Sequence, residues 1–288
     1  MEGLTAHDLP NGARFLRLHY SADPDKTPEW ASAARKQDAD PRTWEVQMEM
    51  RELVLEGQPV YAGYDHDSHC PVGFRKVRIP LIAHSKYVMG WDIGTASVRP
   101  AACLLQITPA ERRQVHLLME VTSHESHGVS AIEFVPAAMN AVRREYPFLP
   151  HNVIHVGDET GNSRQGATGV TSFEVAREKG VDISPISNKW EHRKTAVDRL
   201  LAEDVDETMP RFWVCGHLCP LIVQGFRGGY RLKAIAAGGS TLYGDPVKDH
   251  FSDPHDALQY AAVMAWQLMT PGDDVETRGR DGRRKKRR

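Results

Sequence analysis

The sequence predicts an α/β protein: a mixed sheet flanked by helices, preceded by a linker segment and followed by a basic tail. Three observations predict it. An apolar run at Tyr87–Trp91 ends on Asp92. A second short run, inside HNVIHVGDET, ends on Asp158. Strand and helix signals alternate between these runs and continue to a closing helix in SDPHDALQYAAVMAWQLM. Strand-length apolar runs bounded by turn residues, with longer amphipathic stretches between them, are the pattern of a layered α/β domain.

The expected division is 1–83 as a linker or junction segment, 84–270 as the α/β domain and 271–288 as a disordered tail. In the first segment FLRLHY at 15–20 reads as a short strand, and SADPDKTPEW as a turn-rich link to Trp30. TWEVQMEMRELVL at 43–55 has helical spacing of Trp44, Met48 and Leu55; Gly57 stops that helix and QPVYAGY continues extended. This segment offers too little continuous apolar surface for a core of its own, and reads as a linker or as a face that packs on something else.

The stretch YVMGWDIGTASVRPAACLLQIT at 87–108 reads as strand, turn at Gly94 and Thr95, and second strand. The second strand, mostly apolar from Val98 to Ile107, suits burial on both faces. Residues 98–107 and 114–122 predict a hairpin, and 128–146 an amphipathic helix containing Pro136, which kinks it or marks its true first turn. After the strand ending on Asp158, the loop GNSRQGATG leads to helices at 170–179 and 189–202 around a strand at 181–187. A short strand and helix fall in 211–227, and GGYRLKA with STLYGD predicts a second hairpin. In the closing helix Asp253 is the expected N-cap, Pro254 the first helical residue and Asp256 a first-turn acid.

Composition bounds the function. A chain of 288 residues with 41% hydrophobic residues and a mean hydropathy of −0.47 suits a soluble globular protein. Its first residues lack the basic and apolar regions of a signal peptide, and no apolar run approaches the ~20 residues of a membrane span. Four cysteines, Cys70, Cys103, Cys215 and Cys219, suit a reducing compartment. The net charge of −2 is unevenly spread: RGRDGRRKKRR at 278–288 has eight Lys/Arg and one Asp, a net +7, which leaves −9 elsewhere. A terminal block of one charge suits a polyanion such as nucleic acid. No G-x-x-x-x-G-K-[ST] loop for phosphates is present.

Three carboxylates stand out: Asp92 and Asp158 at strand ends, and Asp256 at a helix start. Each also has a purely local reading, as a turn residue, a cap or a partner of the helix dipole. The strand–hairpin–helix–strand order brings the first two strand ends side by side, and the closing helix can lay Asp256 across them. Carboxylates about 5 Å apart repel by roughly 3 kcal/mol per pair at an effective dielectric of about 20. Gathered together they call for divalent cations, and all-oxygen ligation suits Mg²⁺ or Mn²⁺. Cys215-Gly-His217-Leu-Cys219 lacks a second Cys/His pair for structural zinc, so buried thiols are expected there. The cluster Asp65, His66, Asp67, His69 and Cys70 reads as a polar loop. Arg164, Lys189, Arg193, Lys194, Arg231 and Lys233 are candidates to line a DNA path.

Three motifs, MGWDIGTAS at 89–97, HVGDETGNSRQG at 155–166 and KDHFSDPHDALQYAA at 248–262, resemble the nuclease domain of the large terminase subunit of tailed bacteriophages, a ribonuclease H-like family. HYSADPDKTPEW, the WEVQMEM helix and EGQPVY resemble the segment joining the terminase motor to its nuclease, so the resemblance spans about residues 15–270. It implies a ribonuclease H-like fold and a two-metal-ion endonuclease cutting double-stranded viral DNA during genome packaging. Asp92, Asp158 and Asp256 would ligate two Mg²⁺ or Mn²⁺ ions, with Asp253 and His255 in accessory roles. The implied partners are double-stranded DNA, a terminase ATPase, the small terminase subunit and the portal, in the cytoplasm of the bacterial host. Family members carry an N-terminal ATPase on the same chain, whereas this chain begins near the junction; a separate motor polypeptide, or a split or truncated gene, is the expectation. WDIGTAS also fits the D-x-G-T-x-S of actin-like and sugar-kinase-like ATPases. The same acids and basic tail would also suit a Holliday-junction resolvase or a non-catalytic DNA-binding adaptor.

The tail generates its own test. Deleting 278–288 should weaken DNA binding and flatten its salt dependence, because such a block contributes charge without sequence readout. Filter binding across a salt series measures this, and an unchanged slope would assign the tail another role.

Overall fold

The computed structural model describes residues 4–8, 14–37, 58–93, 99–112, 114–123, 129–163, 169–187, 189–206, 209–237 and 240–270. The chain divides into two compact units, Met1–Glu56 and Gly57–Arg288. The expected helix at 43–55, Arg164 and the basic tail lie outside the described residues.

In the first unit β1 (Leu4–Asp8) and β2 (Arg14–Leu18) pair antiparallel, Leu4 opposite Leu18 and Asp8 opposite Arg14. Helix α1 (Pro28–Gln37) takes up the end of what reads as a turn-rich link. Thr27 accepts a hydrogen bond from the Trp30 backbone N–H at 3.2 Å, and Pro28 brings a preset φ to the first helical position.

The second unit begins with β3 (Gln58–Pro59) and α2 (His66–His69), and then builds a six-stranded sheet. Its strands are β4 (Lys86–Asp92), β5 (Ala101–Ile107), β6 (Val115–Thr122), β7 (Ile154–Asp158), β8 (Ile183–Ile186) and β11 (Phe212–Val214). The spatial order is β11-β6-β5-β4-β7-β8. β4, β5 and β6 form an antiparallel meander. Tight turns suffice for that, whereas a parallel neighbour needs a crossover. Helix α3 (Ala131–Glu145) supplies it, returning the chain to the free edge of β4 where β7 pairs parallel. Helix α4 (Ser172–Glu178) makes the next crossover, and β8 pairs parallel to β7. Helix α5 (Trp190–Ala202) and the small β9 (Asp204–Asp206) and β10 (Met209–Pro210) precede β11, which pairs parallel to β6 at the far edge.

Local chemistry sets the ends of these elements. Thr171 Oγ1 accepts from the Glu174 N–H at 3.0 Å and the Glu174 carboxylate accepts from the Thr171 N–H at 2.8 Å, a reciprocal cap on α4. Pro136 lies inside α3 rather than opening it. Val60, Tyr61, Cys70 and Ile79 are buried in the same cluster as the sheet side chains, so 58–83 packs with the α/β unit. All four cysteines are buried free thiols.

Short helix α6 (Pro220–Gln224) leads to the hairpin of β12 (Arg231–Ala237) and β13 (Ser240–Pro246). The chain then closes with α7 (Ser252–Met269), which lies on β4 and β5. Its N-cap is Phe251, without a side-chain hydrogen bond, so the helix starts one residue before the expected Asp253 cap and places Asp256 in its second turn. The helix is buried on most of its circumference: Ala257, Leu258, Tyr260, Ala261, Ala262, Ala265 and Trp266 are all core residues. No helix among the described residues is long and apolar enough to cross a membrane.

Gly90 is what lets α7 come this close. A Cβ there would stand 2.1 Å from the Ala257 carbonyl oxygen and 2.9 Å from the Ala261 Cβ. Gly90→Ala should therefore cost about 1–3 kcal/mol as the helix is pushed off the sheet. Urea denaturation reads this, and an unchanged midpoint would show that the helix does not bear on β4.

Candidate active site

The candidate acids lie towards one end of the sheet, where the charges of Asp158, Asp253 and Asp256 act on Asp92. Asp92 and Asp158 are the last residues of adjacent parallel strands, whose register pairs Trp91 with Gly157. In open α/β sheets the carboxyl ends of parallel strands are where ligands are held. The start of α7 crosses the same end, with Asp253 and Asp256 one helical turn apart on one face.

Their environments differ. Asp92 is pushed up to about 8, first by burial and then by the negative charges of Asp256, Asp253 and Asp158, against the opposing charge of Lys248. Burial also raises Asp253, although it accepts a hydrogen bond from Ser252 Oγ at 3.1 Å. Asp158 accepts from the Thr160 N–H at 2.9 Å, so it caps the following turn, while its charge also acts on Asp92.

Asp256 is the most enclosed, its side chain 7% exposed. One carboxylate oxygen pairs with Arg193 Nη1 at 3.0 Å and the other with Lys248 Nζ at 2.6 Å. Arg193 lies over the Tyr260 ring at 4.5 Å. Burial works against its charge, and the Asp256 carboxylate together with Tyr260 and Tyr230 offsets that, holding Arg193 above the ordinary arginine range.

This corrects the expectation for Arg193. It is a buried ion-pair partner of Asp256, not a residue lining a surface path, because its guanidinium is 8% exposed and already engaged. Lys194 pairs with Asp198 at 2.5 Å, and Arg231 pairs with Asp249 at 3.5 Å and donates to the Gly229 carbonyl. Lys189 and Lys233 are exposed. His255 is fully buried, stacked on Tyr230 with ring centroids 4.7 Å apart and edge-on to Phe226 at 4.8 Å. Burial pushes it down to about 3, so it is a neutral packing group. A Cβ on Gly225 would stand 2.1 Å from its Nε2, which is why glycine occupies that position.

Two groups escaped the sequence reading. Lys248 heads the motif 248–262, yet nothing in its spacing announces a contact eight residues on. Glu120 is buried on β6 and accepts from the Leu221 and Ile222 N–H groups, both at 2.8 Å. Burial raises it to about 7, against those two bonds.

Among the described residues, no three Asp, Glu, His or Cys side chains converge closely enough to grip an ion as they stand. The donor chemistry nevertheless fits a hard divalent cation: the acids present only oxygen, and Asp92 carries the repulsion of three others. Zinc-type ligation by Cys215, His217 and Cys219 has no such support, since both thiols are buried and the histidine is exposed.

No protein-family model matches the sequence, and no curated protein matches it. Among solved structures the fold is similar to the large terminase nuclease from thermophilic phage G20c, with a TM-score of 0.45 and 14% identity, covering 71% of this chain and 97% of that one. The same nuclease with bound magnesium matches with a TM-score of 0.44 and 14% identity, over 73% of this chain and 97% of that one. The nuclease domain of the bacteriophage SPP1 large terminase with bound Mn matches with a TM-score of 0.40 and 17% identity, over 61% and 84%.

The raised Asp92 has a direct consequence for stability without metal. Its folded pKa lies above its unfolded value near 4, so the stabilisation it gives is present below about pH 4 and is lost as pH rises towards about 8. In EDTA, Asp92→Asn should gain on the wild type in melting temperature across that interval. A difference independent of pH would show that Asp92 ionises freely.

Proposed function

We propose that the second unit is a metal-dependent endonuclease of the terminase type, cutting double-stranded viral DNA during genome packaging. What supports this reading is that adjacent parallel strands β4 and β7 both end on an acid, Asp92 and Asp158, and that the charges of Asp158 and of Asp256 on α7 act on Asp92. A cluster of this kind is costly without positive charge. Asp92, Asp158 and Asp256 would hold two Mg²⁺ or Mn²⁺ ions, with Asp253 beside them.

When bound, such a pair supplies an activated water and stabilises the leaving oxygen of a phosphodiester. The chain's own contributions are positional. Arg193 holds one oxygen of Asp256 and leaves the other to an exchangeable cation. The parallel pairing of β4 with β7 and the close approach of α7 at Gly90 both support a fixed spacing of the three acids. Lys189 and Lys233, both exposed, are suited to phosphate contacts that position a duplex without reading its sequence. A terminase ATPase, the small subunit and the portal are the partners this reading calls for, in the host cytoplasm.

Purified protein should nick or cut plasmid DNA with Mn²⁺ or Mg²⁺ and stop on adding EDTA. Asp92→Asn, Asp158→Asn and Asp256→Asn should each lower cutting by orders of magnitude, and combining them should add little, because the acids act as a unit. Cutting that persists in EDTA, or an Asp256→Asn protein that cuts at the wild-type rate, would contradict the assignment.

A further inference from the structure

The two oxygens of Asp256 are held by cations of opposite character. Arg193 comes from α5, is buried, and is pinned over Tyr260. Lys248 comes from the segment between β13 and α7, and its side chain is 67% exposed although its ammonium touches a carboxylate that is 7% exposed. A guanidinium in a fixed planar contact is a permanent partner. An ammonium on a flexible four-carbon stem is a compact charge that can return to water at small cost. Lys248 is also among the charges acting on Asp92 and on Asp253, so its positive charge serves the cluster and not Asp256 alone.

We propose that Lys248 is the resident counter-cation of the acid cluster: it occupies the Asp256 oxygen that a divalent ion would take, and must leave that oxygen for the ion to bind. This rests on the metal-dependent reading above. Lys248 is then a positioning residue. It acts through Asp256, keeps the acids compatible with one another before metal arrives, and sets how strongly metal is taken up.

Two features favour displacement of Lys248 over displacement of Arg193. The first is access: a hydrated ion approaching from solvent meets the exposed lysine, whereas the arginine side chain is only 8% exposed. The second is what each departure leaves behind. Withdrawal of Arg193 would strand a charge in the core, and breaking a buried pair from one side is strongly unfavourable. Withdrawal of Lys248 moves its charge into water and leaves Asp256 still paired on its other oxygen. A ligand that competes with a resident partner binds more weakly by the stability of the contact it displaces.

The test is direct titration of Mn²⁺ into the full chain, read by calorimetry or by the free-Mn²⁺ electron-paramagnetic signal, so that cutting is not the readout. Lys248→Met should bind Mn²⁺ about two- to fivefold more tightly than the wild type, the range set by a mostly solvent-accessible ion pair. Lys248→Arg should return the affinity to near the wild-type value, and Lys179→Met, which removes an equal charge at an exposed position after α4, should leave it unchanged. Mn²⁺ binding that is unaltered or weakened in Lys248→Met, or equal tightening by Lys179→Met, would overturn the proposal while leaving the metal reading intact. Failure of both the wild type and Lys248→Met to bind Mn²⁺ would overturn the metal reading and this inference with it.

Discussion

Repulsion among carboxylates at one end of the sheet is the constraint on which the rest of this unit depends. Burial and three like charges push the Asp92 carboxyl up to about 8, far above a solvated aspartate. A stability-driven core would not place four acids there, since each ionised group taken out of water has to be matched by a partner. Arg193 from one helix and Lys248 from one loop both pair with Asp256, and the Lys248 charge also acts on Asp92 and Asp253. Packing is arranged around the same end: Gly90 lets α7 approach the sheet, and the small residues Ala257, Ala261 and Ala265 keep it there.

Much of this was legible in the sequence. Apolar runs ending on Asp92 and Asp158 are β4 and β7, and the hairpin and helix between them force the parallel pairing that sets the two acids side by side. Helix α3 and the crossover helices also follow from hydrophobic spacing. Element ends were less legible. The expected Asp253 cap competes with tertiary packing of Phe251 and Ser252, and the helix begins at Ser252.

What the sequence withheld are pairings between distant positions. Arg193 and Asp256 are 63 residues apart, and an arginine flanked by polar residues on an amphipathic helix reads as a surface charge until the partner carboxylate is placed beside it. His255 lies next to Asp256 in sequence, yet the helical turn aims its ring into the aromatic cluster of Tyr61, Phe226 and Tyr230. Adjacency along a helix is not adjacency in a site, because neighbouring residues point about 100° apart. In the early segment Val60, Tyr61, Cys70 and Ile79 are too widely spaced to show a periodic face, but all four reach the core, as a face that packs on something else would.

The most direct measurement of the central claim is the anomalous scattering of Mn²⁺ in crystals of this chain grown or soaked with the ion. Density bridging the carboxylates of Asp92, Asp158 and Asp256, with Lys248 withdrawn from Asp256, is the expected result. Saturating Mn²⁺ that leaves no peak among these three residues, with Lys248 and Arg193 still on Asp256, would contradict it.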